Sequence, residues 1–347
     1  MSNIVQVEPA ESYDAFESQR GHHFEPDASW RYFVDDCDLI DEDGKVLAIH
    51  RKNALSDEAC AAAYEGLLPL AKLKRNNRCD AAGVIDESLF AESYRGRLVN
   101  DGKSTNSKYM RKDGQEGAYW TSNPARSNVV GYYENGFGSS RKIAGEPPIR
   151  QTAFMKREPE RFEMAVPLFR EMDRAYAAMI PGVYAKQAEA ASALGACIEG
   201  TSFSTATINL NFRTAAHRDI GSFHGYNAMA VIHSGLPLAK PAWFLLPRYR
   251  VAINVEHRGI VAANVHEWHC NAPLEEHKDA SRRTPSHRMS IVSYLRMPIF
   301  RACADEAVRE RFAGGQYSNA HVQNHSRFHY EWREEKRAGE AAAERRE

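Results

Sequence analysis

The sequence predicts an α+β protein: a barrel or jelly roll of short strands with helices packed around it. Two patterns carry that reading. From Thr205 to Met297, brief apolar or alternating runs are separated by Gly, Pro and Asn, the punctuation of an antiparallel β structure. Upstream of them lie two helical blocks, one rich in Ala and Leu after Ser56 and one from about Glu158 to Leu194.

In chain order, residues 1–28 are polar and aperiodic, contain Gly21-His22-His23, and read as a flexible N-terminal arm. In DLIDEDGKVLAIHR, Asp43-Gly44 sits between two apolar runs and predicts a hairpin from Asp38 to Arg51. Ser56 caps a helix that runs to about Leu73. Residues 74–150, rich in Gly, Asn, Ser and Arg with aromatics interleaved, predict short strands and long loops, which are more often functional than idle. The next helical block is started or kinked at Pro167 and broken near Pro181-Gly182. Then come TATINLNFR, MAVIHS, WFLLP, RVAINV, GIVAANV and MSIVSYLRM, each short enough for a strand. The expected organisation is an arm over 1–28 and a single catalytic domain over 29–300. Within that domain the barrel core spans about 200–300 and helical support about 156–196; a charged helical tail follows over 301–347.

With 43% apolar and 26% charged residues the chain has the composition of a globular protein. Lys and Arg number 45 against 46 Asp and Glu, so global charge gives no argument for nucleic-acid binding and only a local patch could supply one. The six cysteines form no C-x-x-C pair, which argues against structural zinc and a disulfide framework and fits a reducing interior. No run is long or apolar enough for a signal peptide or a membrane span. A monomeric intracellular protein is expected, without membrane or disulfide-linked partners. It would be nuclear in a eukaryote and cytoplasmic in a bacterium or phage.

The segment NFRTAAHRDIGSFHG carries the chemistry. In a strand, residues i and i+2 share a face, so His217 and Asp219 would look into one interior while Arg218 looks away. One imidazole and one carboxylate so placed are two of the three ligands of a 2-His-1-carboxylate iron(II) site. His269, after the buried run GIVAANV, is the expected third ligand. His266, three residues earlier in HEWH, is its rival, although HEWH lacks the i, i+4 spacing of the zinc-protease motif. His224, His233, His257, His277 and His287 sit in turn-rich or charged contexts and are weaker candidates. Arg288 opens the last strand and offers a guanidinium fork for a carboxylate, with Ser290 on the same face; Arg213, on the face of His217, is a second anion-binding candidate.

These residues resemble a known family. NLNFRTAAHRDIG, LLPRYRVAINVEHRGIVAANVHEWHCN and RMSIVSYLR are similar to the core of the TET/JBP family of iron(II)- and 2-oxoglutarate-dependent nucleic-acid base dioxygenases. The helical segment TAFMKREPERFEMAVPLFREMDRAYAAMIPGVYAKQ looks like the region preceding that core in the shorter protist, algal, fungal and phage-type members. The resemblance implies a double-stranded β-helix that holds iron through His217, Asp219 and His269 and binds 2-oxoglutarate through Arg288. It implies oxidation of the 5-methyl group of 5-methylcytosine or thymine in DNA. The family also has a branch that uses ascorbate and attaches a glyceryl group to 5-methylcytosine. Outside the family reading stand an iron oxygenase acting on RNA, protein or a small molecule, and a non-catalytic reader.

A base must leave the duplex to reach a buried metal, and phosphate contacts and a pocket must offset the unstacking. The basic candidates are Lys72, Lys74, Arg75 and Arg78; Lys103, Lys108, Arg111 and Lys112; Arg141 and Lys142; and Arg282 and Arg283. The expected substrate pocket comprises Asn128, Asn211, Phe223, His224 and Tyr226.

Overall fold

The computed structural model describes residues 3–74, 78–96, 98–99, 102–110, 116–135, 147–276 and 286–313. The strands that matter here are β1 Asn3–Gln6, β2 Arg31–Phe33, β3 Cys37–Ile40, β4 Val46–Arg51, β5 Ala125–Glu134 and β6 Ile149–Gln151. They continue with β7 Thr205–Leu210, β8 Tyr226–Gly235, β9 Phe244–Leu246, β10 Val251–Ile253, β11 Ile260–Asn264, β12 Cys270–Asn271 and β13 Ser286–Tyr294. Four helices matter: α1 Asp57–Leu67, α2 Val166–Met179, α3 Pro181–Leu194 and α4 Met297–Ala302.

The strands form two facing sheets. The larger runs β1-β3-β4-β11-β8-β13-β7-β5-β6, and the smaller runs β12-β9-β10-β2. From β7 onward the chain passes back and forth between them. It goes from β7 to a stretch ending at His217, which pairs with His269 beside β12, then returns to β8. It crosses to β9 and β10, back to β11, over to β12 and finally to β13. That alternation is a double-stranded β-helix with flanking helices.

The large sheet has two different faces because side chains alternate along each strand. Ile208, Ala228, Ala230, Ile232, Ile260, Ala262 and Ile291 pack on α1 and α2 in one cluster with Phe169, Met172 and Tyr176. Met229, Val231, Val261 and Ala263 point the other way and meet Phe244, Leu246, Val251 and Ile253 of the small sheet. The interior between the sheets is therefore half apolar packing and half site.

Local signals act where the sequence puts them. Ser56 accepts a bond from the backbone N–H of Ala59 and caps α1. Gly44, at φ 75°, turns the β3–β4 hairpin. The helical block breaks at Ile180, outside the helical region at φ −134° and ψ 62° ahead of Pro181, because a residue before proline is pushed out of that region. Residues 74–150 hold more than loops: β5 is a strand of 10 residues inside the large sheet. Gly131 in β5 sits at φ 102°, and a Cβ there would lie 2.3 Å from the Ser204 carbonyl oxygen. Only glycine allows the close approach of β5 to β7.

The expected flexible arm is instead packed. β1 pairs in parallel with β3, from Asn3 opposite Cys37 to Gln6 opposite Ile40. Phe16 is 1% exposed and stacks near Phe24 and Trp268. The segment lacks a helical or strand period because its anchors are spaced by the surface it covers, not by its own backbone. At the other end the tail is described to Ala313, in α4 and a helix Glu306–Ala313; its remainder lies outside the described residues. All six cysteines are free thiols. No helix among the described residues is long and apolar enough to cross a membrane.

Docking of the N-terminal segment makes a direct test. Phe16→Ala should lower the unfolding free energy by about 3–5 kcal/mol in a denaturant titration, the usual cost of removing a buried aromatic ring. An unchanged midpoint would mean that the segment is not part of the core.

Candidate metal centre and active-site cavity

His217 and His269 face each other across a single antiparallel bridge, and each backbone N–H donates to the other's carbonyl at 3.1 Å. Their ring centroids lie 4.3 Å apart. The H-x-D motif is not on a regular strand as expected. After His217 the chain turns: the Asp219 N–H donates to Val265 O at 2.8 Å, and the Ser222 N–H donates back to Asp219 O at 3.1 Å. The carboxylate still reaches the histidines, with Oδ1 3.9 Å from His217 Nε2 and Oδ2 3.9 Å from His269 Nε2. The three potential ligand atoms all lie within 4.8 Å of one another.

The rings are fixed from behind. Nδ1 of His217 donates to Ala215 O at 2.8 Å, and Nδ1 of His269 donates to Glu267 O at 3.0 Å. Each bond selects the tautomer that leaves Nε2 bare and turned inward. Burial, reinforced by the neighbouring His217, pushes the His269 pKa down to about 4, so its ring is neutral near pH 7. Asn227 Nδ2 lies 3.4 Å from Asp219 Oδ2 and steadies the carboxylate. Two imidazole nitrogens and one carboxylate converging on one point are a donor set that fits divalent iron. His266 takes no part: its ring packs against Gly225 and lies outside the group of three.

The three residues open into a cavity of about 320 Å³ between the sheets. One wall is the inward row of β13, where Ser290, Val292 and Tyr294 alternate and Arg296 follows. Arg288, two residues before Ser290 on the same strand, is 2% exposed and is not among the residues that line the cavity. Its backbone N–H donates to Asn211 Oδ1 at 2.7 Å, but Nε and Nη2 of its guanidinium are buried without a hydrogen-bond partner. Burial alone lowers its pKa, to about 10, and no carboxylate among the described residues offsets the charge. His233 is directly opposite Arg288 on β8. Burial, then the Arg288 charge and His257, hold its pKa down to about 4.

The other expected site residues lie elsewhere. Arg213 turns out of the cavity to donate to Phe24 O at 2.9 Å. Asn128 shares the helix-side face of β5 and is held by Lys74 and by Leu70 O. Asn211, at φ 46°, bonds Glu276 and Ser286 O and braces the start of β13. Tyr226 donates to Val46 O on the helix side, one residue out of phase with the inward Asn227. Phe223 packs with Phe300 and Phe312, and His224 lies edge-on to Phe223. None of these five pocket candidates lines the cavity. Residues that do, and that sequence reading missed, are Tyr133, Asn209, Asn227, Tyr294 and Arg296. Arg78, expected to contact phosphate, also lines it. Strand parity would have found Asn209 and Asn227, but only once the register was known.

Residues 130–297, from within β5 to the start of α4, match the family model Tet_JBP, the oxygenase domain of the 2OGFeDO superfamily. This stretch is similar to Tet_JBP oxygenase domains. Thymine dioxygenase JBP1 of Trypanosoma brucei brucei is 31% identical over 189 residues, covering 53% of this chain and 21% of that protein. Thymine dioxygenase JBP1 of Crithidia fasciculata is 26% identical over 287 residues, covering 81% of this chain and 29% of that one. The chain thus spans less than a third of the length of these relatives. A solved structure of NgTET1 in complex with 5mC DNA aligns at 10% identity over 85% of this chain and 82% of its own, with a TM-score of 0.45.

Two predictions follow from the geometry of the site. Asp219→Ala should lose stoichiometric iron(II) by elemental analysis while keeping its circular dichroism spectrum, and His266→Ala should keep the metal; iron retained by Asp219→Ala would break the ligand assignment. The His233 pKa is lowered in the fold from 6.5, so between about pH 6.5 and 4 the unfolded chain takes up a proton the folded one resists. Stability of the metal-free protein should therefore fall on acidification through that window. In His233→Asn the slope of unfolding free energy against pH should be shallower there.

Proposed function

We propose that this chain is an iron(II)- and 2-oxoglutarate-dependent dioxygenase that oxidises the 5-methyl group of a pyrimidine, 5-methylcytosine or thymine, in DNA. One observation carries the reading. The His217, Asp219 and His269 donor set opens on a cavity walled by Ser290, and Arg288, a buried guanidinium with Nε and Nη2 unpartnered, lies two residues before Ser290 on the same strand.

In this reading His217, Asp219 and His269 hold the iron, their Nδ1 bonds having already oriented both rings. Iron(II) with 2-oxoglutarate and oxygen supplies the oxidant: one oxygen atom goes to the methyl carbon, the other to succinate, and carbon dioxide leaves. Arg288 takes the far carboxylate. A guanidinium buried without a counter-ion is costly, and a bidentate carboxylate removes that cost. Ser290, two residues on and lining the cavity, would share that carboxylate. The apolar faces of Met229, Val261 and Phe244 keep water from the reacting centre. The names of the relatives, thymine dioxygenases, support a methylated base as substrate.

DNA must come from local charge, since the net charge is -1. Lys72 is exposed and available to phosphates, and Lys103 is exposed. Arg75, Arg111, Lys112, Arg141, Lys142, Arg282 and Arg283 lie outside the described residues, as does the Lys108 side chain. The protein would act as a monomer inside the cell, on a base flipped from the stack.

Nucleoside mass spectrometry of duplexes containing thymine and 5-methylcytosine should show the gain of one oxygen, dependent on 2-oxoglutarate. A larger adduct formed with ascorbate alone would move the chain to glyceryl transfer, and no product in any arm would remove DNA as the substrate. Arg288→Ala should raise KM for 2-oxoglutarate at least about thirtyfold, the order expected for a lost buried charge pair. Arg213→Ala should leave it unchanged.

A further inference from the structure

The wall of the cavity away from Arg288 is built around a second cation, and this one is held rigid. Arg296 donates from Nε and Nη2 to the two carboxylate oxygens of Glu134, at 2.7 and 2.6 Å. Its guanidinium carbon lies 4.0 Å from the Tyr133 ring centroid, stacked on the face, and its backbone N–H is bonded to Ser204 Oγ at 2.9 Å. Glu134 is buried at 5% exposure, so the clamp is locked from beneath. With two of its three nitrogens committed to Glu134, Arg296 has one donor group, Nη1, left for whatever enters the cavity. Tyr133 and Tyr294 supply aromatic surface on the same wall.

Polar groups around this wall are biased toward donors. Arg78 lines it too, close enough to Tyr294, Asp219 and Tyr133 for their charges to act on it, and its buried Nε has no partner. The acceptors are largely consumed. Glu134 serves Arg296, Asp80 takes bonds from Arg20 and Thr105, Asn209 Oδ1 accepts from Ser127, and Asn271 Oδ1 accepts from Thr214. The amide oxygen of Asn227 is left without a partner, and the hydroxyls of Thr207, Ser290, Tyr133 and Tyr294 can accept as well as donate.

We infer that Arg296, clamped by Glu134 and Tyr133, reads the substrate base, and that with Arg78 it makes the cavity select a 4-oxo pyrimidine such as thymine over 4-amino 5-methylcytosine. Both bases offer O2, and N3 is a donor in thymine and an acceptor in 5-methylcytosine, so the discrimination falls at C4. A cationic donor facing that edge is satisfied by the thymine carbonyl and opposed by the 5-methylcytosine amino group, which leaves buried donors unpaired. The inference rests on the reading of a methylated pyrimidine in DNA as substrate, and adds which pyrimidine and which residue chooses it.

The test uses two duplexes identical except for thymine or 5-methylcytosine at one position, with kcat/KM measured for each hydroxymethyl product. The wild-type chain should prefer thymine by about tenfold or more, as a site built to bond a substrate oxygen rejects the analogue lacking it. The paired substitution Glu134→Gln with Arg296→Gln leaves no lone buried charge and should bring the two bases within about threefold of each other. Arg296→Lys keeps a cationic donor and should retain part of the preference. KM for 2-oxoglutarate, whose anchor is Arg288, reports whether each variant is folded. A preference for 5-methylcytosine, or a thymine preference that survives the paired substitution in a folded variant, overturns the role of Arg296. If neither base is oxidised while 2-oxoglutarate is consumed, the pyrimidine reading fails, and this inference fails with it.

Discussion

Everything at the site depends on one pair of reciprocal backbone bonds, from His217 N–H to His269 O and from His269 N–H to His217 O. The pair joins segments from two separate crossings between the sheets, and it aligns both imidazoles on the same inward side. Because side chains alternate along extended chain, the neighbours of the two ligands are sent outward together. There Arg218 lies 4.5 Å over the Trp268 ring and 5.1 Å over Tyr13, and bonds Glu17 at 3.1 Å. The packed N-terminal segment therefore grips the bridge from behind. Its Phe16 and Tyr13 contact Trp268 itself. A segment remote in sequence thus constrains the rotation of both metal-ligand candidates without touching either.

Three interior arginines divide the molecule's electrostatics by the partners they have. Arg248 is paired with Glu267 at 2.7 and 3.1 Å and lies over the Tyr249 ring; the same Glu267 supplies the carbonyl that orients His269. Arg296 is paired with Glu134 on the cavity wall. In each of these pairs the two charges compensate each other, and removing one partner would strand a buried charge. Arg288 has no such partner, and its cost is borne by the fold. A protein keeps an uncompensated buried cation where a ligand completes it, and here the inward row of β13 leads from that cation toward Tyr294 and the clamped Arg296.

The helices do a different job. α1 and α2 cover the outer face of the large sheet and bury the alternate residues of the same strands that line the site. Met289 and Ile291 are held down on that side while Ser290 and Val292 face the cavity. Packing on one face thus sets the register of the chemistry on the other, since a slip of one residue would exchange them.

Much of this was legible in the sequence. The strand series after Thr205, the Asp43-Gly44 hairpin, the Ser56 cap and the break before Pro181 are local matters, decided by backbone sterics and side-chain period, and the one-dimensional pattern carries them. The grouping of His217, Asp219 and His269 was readable because few residue types can do that chemistry. Tertiary structure alone decided which face each remaining polar residue presents. Asn128 and Tyr226 fell to the helix side and Asn227 to the cavity because of pairing between distant strands, and a one-residue difference in register inverts the answer. Likewise the docking of Phe16, the turn that delivers Asp219 and the meeting of Arg296 with Glu134 depend on contacts between segments far apart in the chain. Local sequence period encodes the shape of each segment, but only the assembled sheets fix which segments become neighbours.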